Sequence, residues 1–425
     1  MGMKQKLLGL KLQMARLCIF KSIQELELIR DLEKLVEDVL DENKPIGENI
    51  KLYNGFAYNF YKEIQGKSLK AYILDEILYG QNLINLHIER QKELSISMVE
   101  ALRGELAALQ AIGEVKAVDL KACMCHKAKC ELEKEIIHSL LEWENESEEE
   151  QMVLGYVGWG EKADQLLDFY RNKGCGIFAK YKAFIWADCK GRKEIKGIGV
   201  PDSIIMDDLI GYHLQKQDLL HNTEAFLKGY PANNLLLYGA RGTGKSSMIK
   251  AVLNYFAPHT RLRLVEMRKD QLMQLKELIN EIKDKPYYFI IFIDDLAFED
   301  KEETYTALKT ILEGGVEAKP SHVIIYATSN RRHLIEEKIS DNELHGKDTV
   351  EEKMSLSDRF GMRIGFNSPN QLEYLAIVNG LVKQRGLGIE EEILKKEALK
   401  WEMWHNGKSG RTAKQFVDDL ESQEM

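Results

Sequence analysis

Gly239-Ala240-Arg241-Gly242-Thr243-Gly244-Lys245-Ser246 follows the apolar run Leu235-Leu236-Leu237-Tyr238 and precedes Met248, Ile249, Ala251, Val252 and Tyr255 at helical spacing. Strand, glycine-rich turn and helix in that order make a phosphate-binding loop of Walker A type. Glycine lets the backbone curl so that successive N–H groups face one point, and the positive end of the following helix adds to the field there. In this arrangement Lys245 reaches the β- and γ-phosphates of a nucleoside triphosphate and Ser246 ligates magnesium. The spacing G-x4-G-K-[ST] alone turns up by chance in roughly one chain in fifty of this length, so the flanking strand and helix carry the reading.

A second acidic element lies downstream. Phe289-Ile290-Ile291-Phe292-Ile293 ends in Asp294-Asp295, the Walker B pattern, which gives Asp294 to magnesium and Asp295 to the attacking water. Glu299 is a backup for Asp295. A third run, Val323-Ile324-Ile325-Tyr326-Ala327, exits into Thr328-Ser329-Asn330. Its amide side chain can hydrogen-bond the γ-phosphate or the water if this strand lies between the other two.

From about residue 200, strand candidates at 234–238, 262–266, 288–293 and 322–327 alternate with helical stretches at 245–256, 270–283 and 303–313. That alternation predicts an α/β fold, a doubly wound parallel sheet covered on both faces. Residues from 370 read as helices. Residues 1 to about 140 are helical: Ser22-Ile23-Gln24-Glu25 has the form of a capping box ahead of Ile23, Leu26, Ile29, Leu32, Leu35 and Val36, and further helices fit 66–90, 95–112 and 117–143. The run Glu144–Glu150 reads as a solvated loop or helix end, and 152–195 as the tail of the N-terminal region. The expected division is therefore 1–195, mainly helical and partner-binding; 196–368, the P-loop core; and 369–425, a helical lid.

The chain has 425 residues, 44% hydrophobic and 30% charged, with a formal net charge of −9. That charge argues against a globally basic nucleic-acid binder, though Arg261, Arg263, Arg268, Lys269, Arg331 and Arg332 offer a local basic face. Six scattered cysteines, no signal-like h-region and no apolar span predict a cytoplasmic protein without a membrane partner. Cys123, Cys125, His126 and Cys130 do not make a convincing zinc set, because Cys123 and Cys125 diverge by about 200° on a helix. His333 reads equally as a site residue or as a helix-start surface residue. Trp401, Trp404 and His405 read as lid core.

The order P-loop, Asp-Asp strand, Thr-Ser-Asn strand end, downstream arginine and helical lid resembles that of AAA+ ATPases. Asp207-Asp208-Leu209-Ile210-Gly211-Tyr212 resembles the segment that packs on adenine, Leu356-Ser357-Asp358-Arg359-Phe360-Gly361 the arginine-finger segment, and Gly407-Lys408-Ser409-Gly410-Arg411 the start of the sensor-2 helix. Closer still is one bacterial AAA+ family described only as ATP-binding proteins of unknown function. It is matched by Asn222–Leu227, Pro231–Asn234, Leu312–Gly315 and Tyr326–His333; the resemblance spans about 200–420 and extends weakly into 174–179.

The resemblance implies an ATPase using ATP and Mg2+, with nucleotide held by Ile210, Gly211 and the loop Gly239, Ala240, Arg241, Gly242, Thr243, Gly244, Lys245, Ser246 and Ser247. It implies metal at Ser246 and Asp294, and catalytic roles for Asp295, Asn330, Arg359 and Arg411. Arg359 would act in the site of a neighbouring copy in a ring or helical homo-oligomer, Arg411 within its own subunit. The family's activity would remodel or load a protein or nucleic-acid client. Most active members carry Glu where this chain has Asp295, whose carboxylate is set back by about one C–C bond, roughly 1.5 Å. Slow hydrolysis, or a nucleotide-gated scaffold, is the alternative expectation.

Overall fold

The computed structural model describes residues 2–64, 66–90, 92–143, 154–155, 157–189, 191–297, 303–313, 319–330, 359–405 and 407–424. Glu299, Arg331, Arg332, His333, Asp358 and the acidic run 144–150 lie outside the described residues. The chain divides into two compact units, Met1–Lys180 and Tyr181–Met425.

The described residues of the first unit form helices joined by turns, with no strand among them. Its logic is visible in the helix Glu27–Leu40, where Leu28, Ile29, Leu32, Leu35, Val36 and Val39 recur at three- and four-residue intervals and are buried on one face. The expected capping box at Ser22 does not form. Ser22 lies inside the short helix Lys21–Gln24 and donates its hydroxyl to the Gln81 carbonyl at 2.8 Å, while the long helix starts after Leu26 with no side-chain cap. The N–H groups ahead of Lys21 are taken instead by a buried carboxylate: Glu105 accepts from Cys18, Ile19 and Phe20 at 2.9–3.1 Å. The tertiary partner wins over the local cap because a carboxylate accepts several charge-assisted bonds at once.

The second unit is a mixed α/β structure built on a seven-stranded sheet of order β2-β1-β4-β5-β6-β3-β7. The strands are β1 (Ala183–Cys189), β2 (Arg192–Gly197), β3 (Leu235–Gly239), β4 (Leu262–Met267), β5 (Tyr288–Ile293), β6 (Val323–Ser329) and β7 (Met362–Phe366). All neighbouring pairs run parallel except β1 with β2. Every residue of β6 is buried, as are five of the six residues of β5, so alternate side chains find cover on both faces. Leu235, Leu237, Leu264, Ile290, Phe292, Ile324 and Tyr326 share one core with Met248, Ile249 and Val252 of the helix Lys245–Phe256. The helices Gln371–Arg385, Glu391–Trp404 and Gly410–Glu424 form a separate core around Tyr374, Val378, Leu394, Ala398, Ala413 and Phe416.

The boundary between units falls at Lys180, ahead of the sequence-based division at 195. β1 is the reason, since its Ala183–Ile185 pairs with Leu264–Glu266 of β4 and carries the hairpin β1–β2 into the sheet. Trp404 is also not core: it is 79% exposed, and only Trp401 packs, with His405 stacked on it at 4.0 Å. The buried stripe of this helix is Leu394, Ala398 and the partly buried Trp401, and Trp404 is turned about 60° beyond it.

Candidate nucleotide site at the strand ends

Because β3, β5 and β6 are parallel, their C-terminal ends meet at one edge of the sheet, and β6 separates the other two. The candidate residues from three distant stretches therefore converge there, at the kind of edge where open parallel sheets bind ligands.

The loop between β3 and the helix Lys245–Phe256 turns on glycines. Gly242 and Gly244 hold φ of +76° and +89°, conformations that other residues adopt at a cost. Gly239 is demanded by torsion and by contact: its φ is +133°, and a Cβ there would collide with the Phe366 carbonyl of β7. Thr243 closes the loop by donating its hydroxyl to the Ala240 carbonyl at 2.9 Å. Met248 N–H reaches Gly244 O at 2.8 Å, so the helix begins directly under the loop.

Lys245 is buried, and its Nζ donates to Gly239 O at 2.9 Å, Ala240 O at 2.7 Å and Asn330 Oδ1 at 3.2 Å. Burial pulls its pKa below the ordinary lysine value, and nearby Asp294 and Asp295 oppose that pull. Ser246 Oγ donates to Asp294 Oδ1 at 2.6 Å. Asn330 Nδ2 donates to Asp295 Oδ1 at 2.6 Å, so one amide bridges the lysine and the second acid. Thr328, which carries no assignment in the sequence reading, hydrogen-bonds to both acids. A hydroxyl at a strand exit has no distinguishing pattern, and only the strand order brings it to Asp294.

The remaining candidates fall in two places. Ile210 packs among the C-terminal helices, its Cδ1 filling the space a Cβ on Gly380 would need, whereas Leu209 packs on the sheet core. Gly211 and Tyr212 follow with φ of +84° and +53°, and Tyr212 anchors its hydroxyl on the Asn367 carbonyl at 3.0 Å. Arg411 N–H donates to Gly242 O at 3.0 Å, which brings the start of the last helix onto the P-loop. Arg241 is exposed, and Ser247 is partly buried in the first turn of the helix. Arg359 is exposed and precedes the buried Phe360 at the entrance to β7. Since Met362 pairs with Leu235 and Phe366 with Gly239, roughly 13 Å of strand separates that entrance from the P-loop edge.

The residues suit a magnesium–triphosphate group. Ser246 Oγ and the Asp294 carboxylate are hard oxygen donors already 2.6 Å apart. The lysine ammonium and the glycine-shaped loop offer the cradle that phosphate oxygens require.

A family described as "Protein of unknown function (DUF815)" matches residues 179–424, a span that takes in the whole sheet and the C-terminal helices. No curated protein matches the chain. With more than half of its length matched, the chain belongs to the DUF815 family of proteins of unknown function.

Proposed function

We propose that this chain is an AAA+ P-loop protein, with a doubly wound core and a C-terminal helical lid, that binds ATP with magnesium and hydrolyses it to ADP and phosphate. The observation that carries this reading is one continuous hydrogen-bonded set, Ser246–Asp294–Thr328–Asp295–Asn330–Lys245, drawn from three separate stretches.

In this reading Lys245 and the N–H groups from Gly242 to Ser246 hold the β- and γ-phosphates. Ser246 and Asp294 would hold the metal. Bound magnesium would neutralise charge developing on the phosphate oxygens. Asp295 orients or deprotonates the attacking water, and Asn330 hydrogen-bonds that water or the γ-phosphate. Ile210 and Gly211 flank the base, and Arg411 senses the γ-phosphate within the same chain. Arg359, at the far end of β7 from its own P-loop, suits the neighbouring copy's site in a ring or helical homo-oligomer. The work of the cycle is the remodelling or loading of a protein or nucleic-acid client, with the N-terminal helical unit as its docking module.

A nucleotide-gated switch that scarcely hydrolyses is the second reading. It is favoured by Asp295, shorter than Glu and with Oδ1 engaged by Asn330. ATPase rate against protein concentration, with mass followed by light scattering, separates the two. Under the first reading the specific rate rises as oligomers form and drops on the order of 10³-fold in Arg359→Ala, while Lys245→Ala binds no nucleotide. A wild-type monomer that binds ATP without turnover establishes the switch, and wild-type turnover in Arg359→Ala removes the finger.

A further inference from the structure

Thr328 is 2% exposed and sits one residue from the end of β6. Its hydroxyl accepts from the backbone N–H of Asp295 at 3.0 Å and donates its single proton to Asp294 Oδ1. A hydroxyl has one proton and two acceptor lone pairs, so one oxygen can engage both acids in opposite senses. The Thr328 carbonyl takes a third bond, from Leu296 N–H at 2.7 Å. Three consecutive residues beyond β5 are thus tied to a single residue of β6.

What those ties hold is an uncommon backbone. Asp295 has a φ of +51°, one of two positive-φ non-glycine residues among the described residues. Such a conformation persists where its surroundings over-determine it. Had the chain stayed extended, Asp294 and Asp295 would point to opposite faces of the sheet. With the left-handed turn, Asp294 receives Ser246, and Asp295 receives the amide that also serves Lys245.

We propose that Thr328 is the positioning residue of the acidic pair. Its hydroxyl aims Asp294 at Ser246, and it fixes the turn that keeps Asp295 against Asn330. The consequence for metal use and turnover rests on the nucleotide reading above; the placement of the two carboxylates does not.

Thr328→Val keeps the side-chain shape and removes both hydroxyl bonds, whereas Thr328→Ser keeps the hydroxyl. In hydrogen exchange on the full-length protein, Val is expected to speed exchange of the Asp295 amide by at least about tenfold, confined to residues 294–297, with Ser restoring protection. In nucleotide titrations, Val retains the affinity measured without metal. The gain in ATP affinity on adding Mg2+, and kcat, fall by roughly 10–100-fold with KM little changed.

Wild-type protection and magnesium response in a folded Val variant overturn the proposal. So does exchange that quickens across the whole sheet, because Thr328 would then be a packing residue. Thr328→Ala carries the same contrast with Ser if Val does not fold. A wild-type protein that binds no nucleotide removes the nucleotide reading, while the exchange comparison still decides the role of Thr328.

Discussion

Arg411 donates its backbone N–H to the carbonyl of Gly242 at 3.0 Å, so the helix Gly410–Glu424 begins on the glycine-rich loop after β3. The contact is tight around glycine. A Cβ on Gly242 would stand 3.0 Å from Ser409 Oγ, 3.2 Å from Ser409 Cβ and 3.3 Å from Arg411 Cβ, at a φ of +76°.

Gly242→Ala is therefore expected to act twice. The left-handed backbone costs about 1–2 kcal/mol, and the methyl group pushes the start of the helix Gly410–Glu424 away from the loop. A lowered thermal midpoint together with weakened ATP binding is the expected result. An unchanged midpoint and unchanged affinity would show that loop and helix separate freely.

Asp295 tests the chemistry separately from the fold. Asn tolerates left-handed backbone as Asp does, so Asp295→Asn should fold and bind ATP while turnover falls by about 10²-fold or more. Asp295→Glu advances the carboxylate by about 1.5 Å and should quicken turnover. Single-turnover assays measure both, and an undiminished rate in Asp295→Asn would move the base elsewhere.

Lys319 sets a pH dependence of stability. Burial brings its pKa from 10.5 down to about 8, with Nζ donating to the Val323 carbonyl at the start of β6. At pH 7 both the folded and unfolded chains are protonated there, and the fold bears the cost of a buried charge. Between pH 8 and 10.5 the unfolded chain holds the proton that the folded chain has released, so stability rises with pH by up to about 3 kcal/mol from this group. Lys319→Met should raise the thermal midpoint at pH 7, and its advantage should shrink as pH climbs through that window. Denaturant melts at pH 7 and pH 10 provide the comparison, and an equal difference at both values contradicts the assignment.

Much of the sheet was legible because its signals are local. The expected runs 262–266 and 288–293 correspond to β4 and β5, and helices at 245–256 and 303–313 start and stop as their periodicity indicates. The hairpin β1–β2 was not legible. Phe184, Ile185 and Trp186 are all apolar, so the residue types do not alternate even though Phe184 and Trp186 are buried and Ile185 is exposed, and pairing with β4 supplies what the pattern lacks. β7 was missed as well: five residues containing Gly365 are too short to stand out, though their register delivers the Phe366 carbonyl that excludes a side chain at Gly239.

The amino-acid sequence by itself determined the glycine-rich turn between β3 and the helix Lys245–Phe256. Its glycines, its lysine and the strand and helix on either side act over a dozen consecutive residues, where backbone torsion and periodicity decide conformation. Tertiary structure alone decided that Thr328, thirty-three residues beyond Asp295, would meet both acids, and that Arg411 would rest on Gly242. Such contacts depend on strand order and register. Those are fixed when many buried side chains on both faces of the sheet find their cover together, a condition that no local window of residues contains.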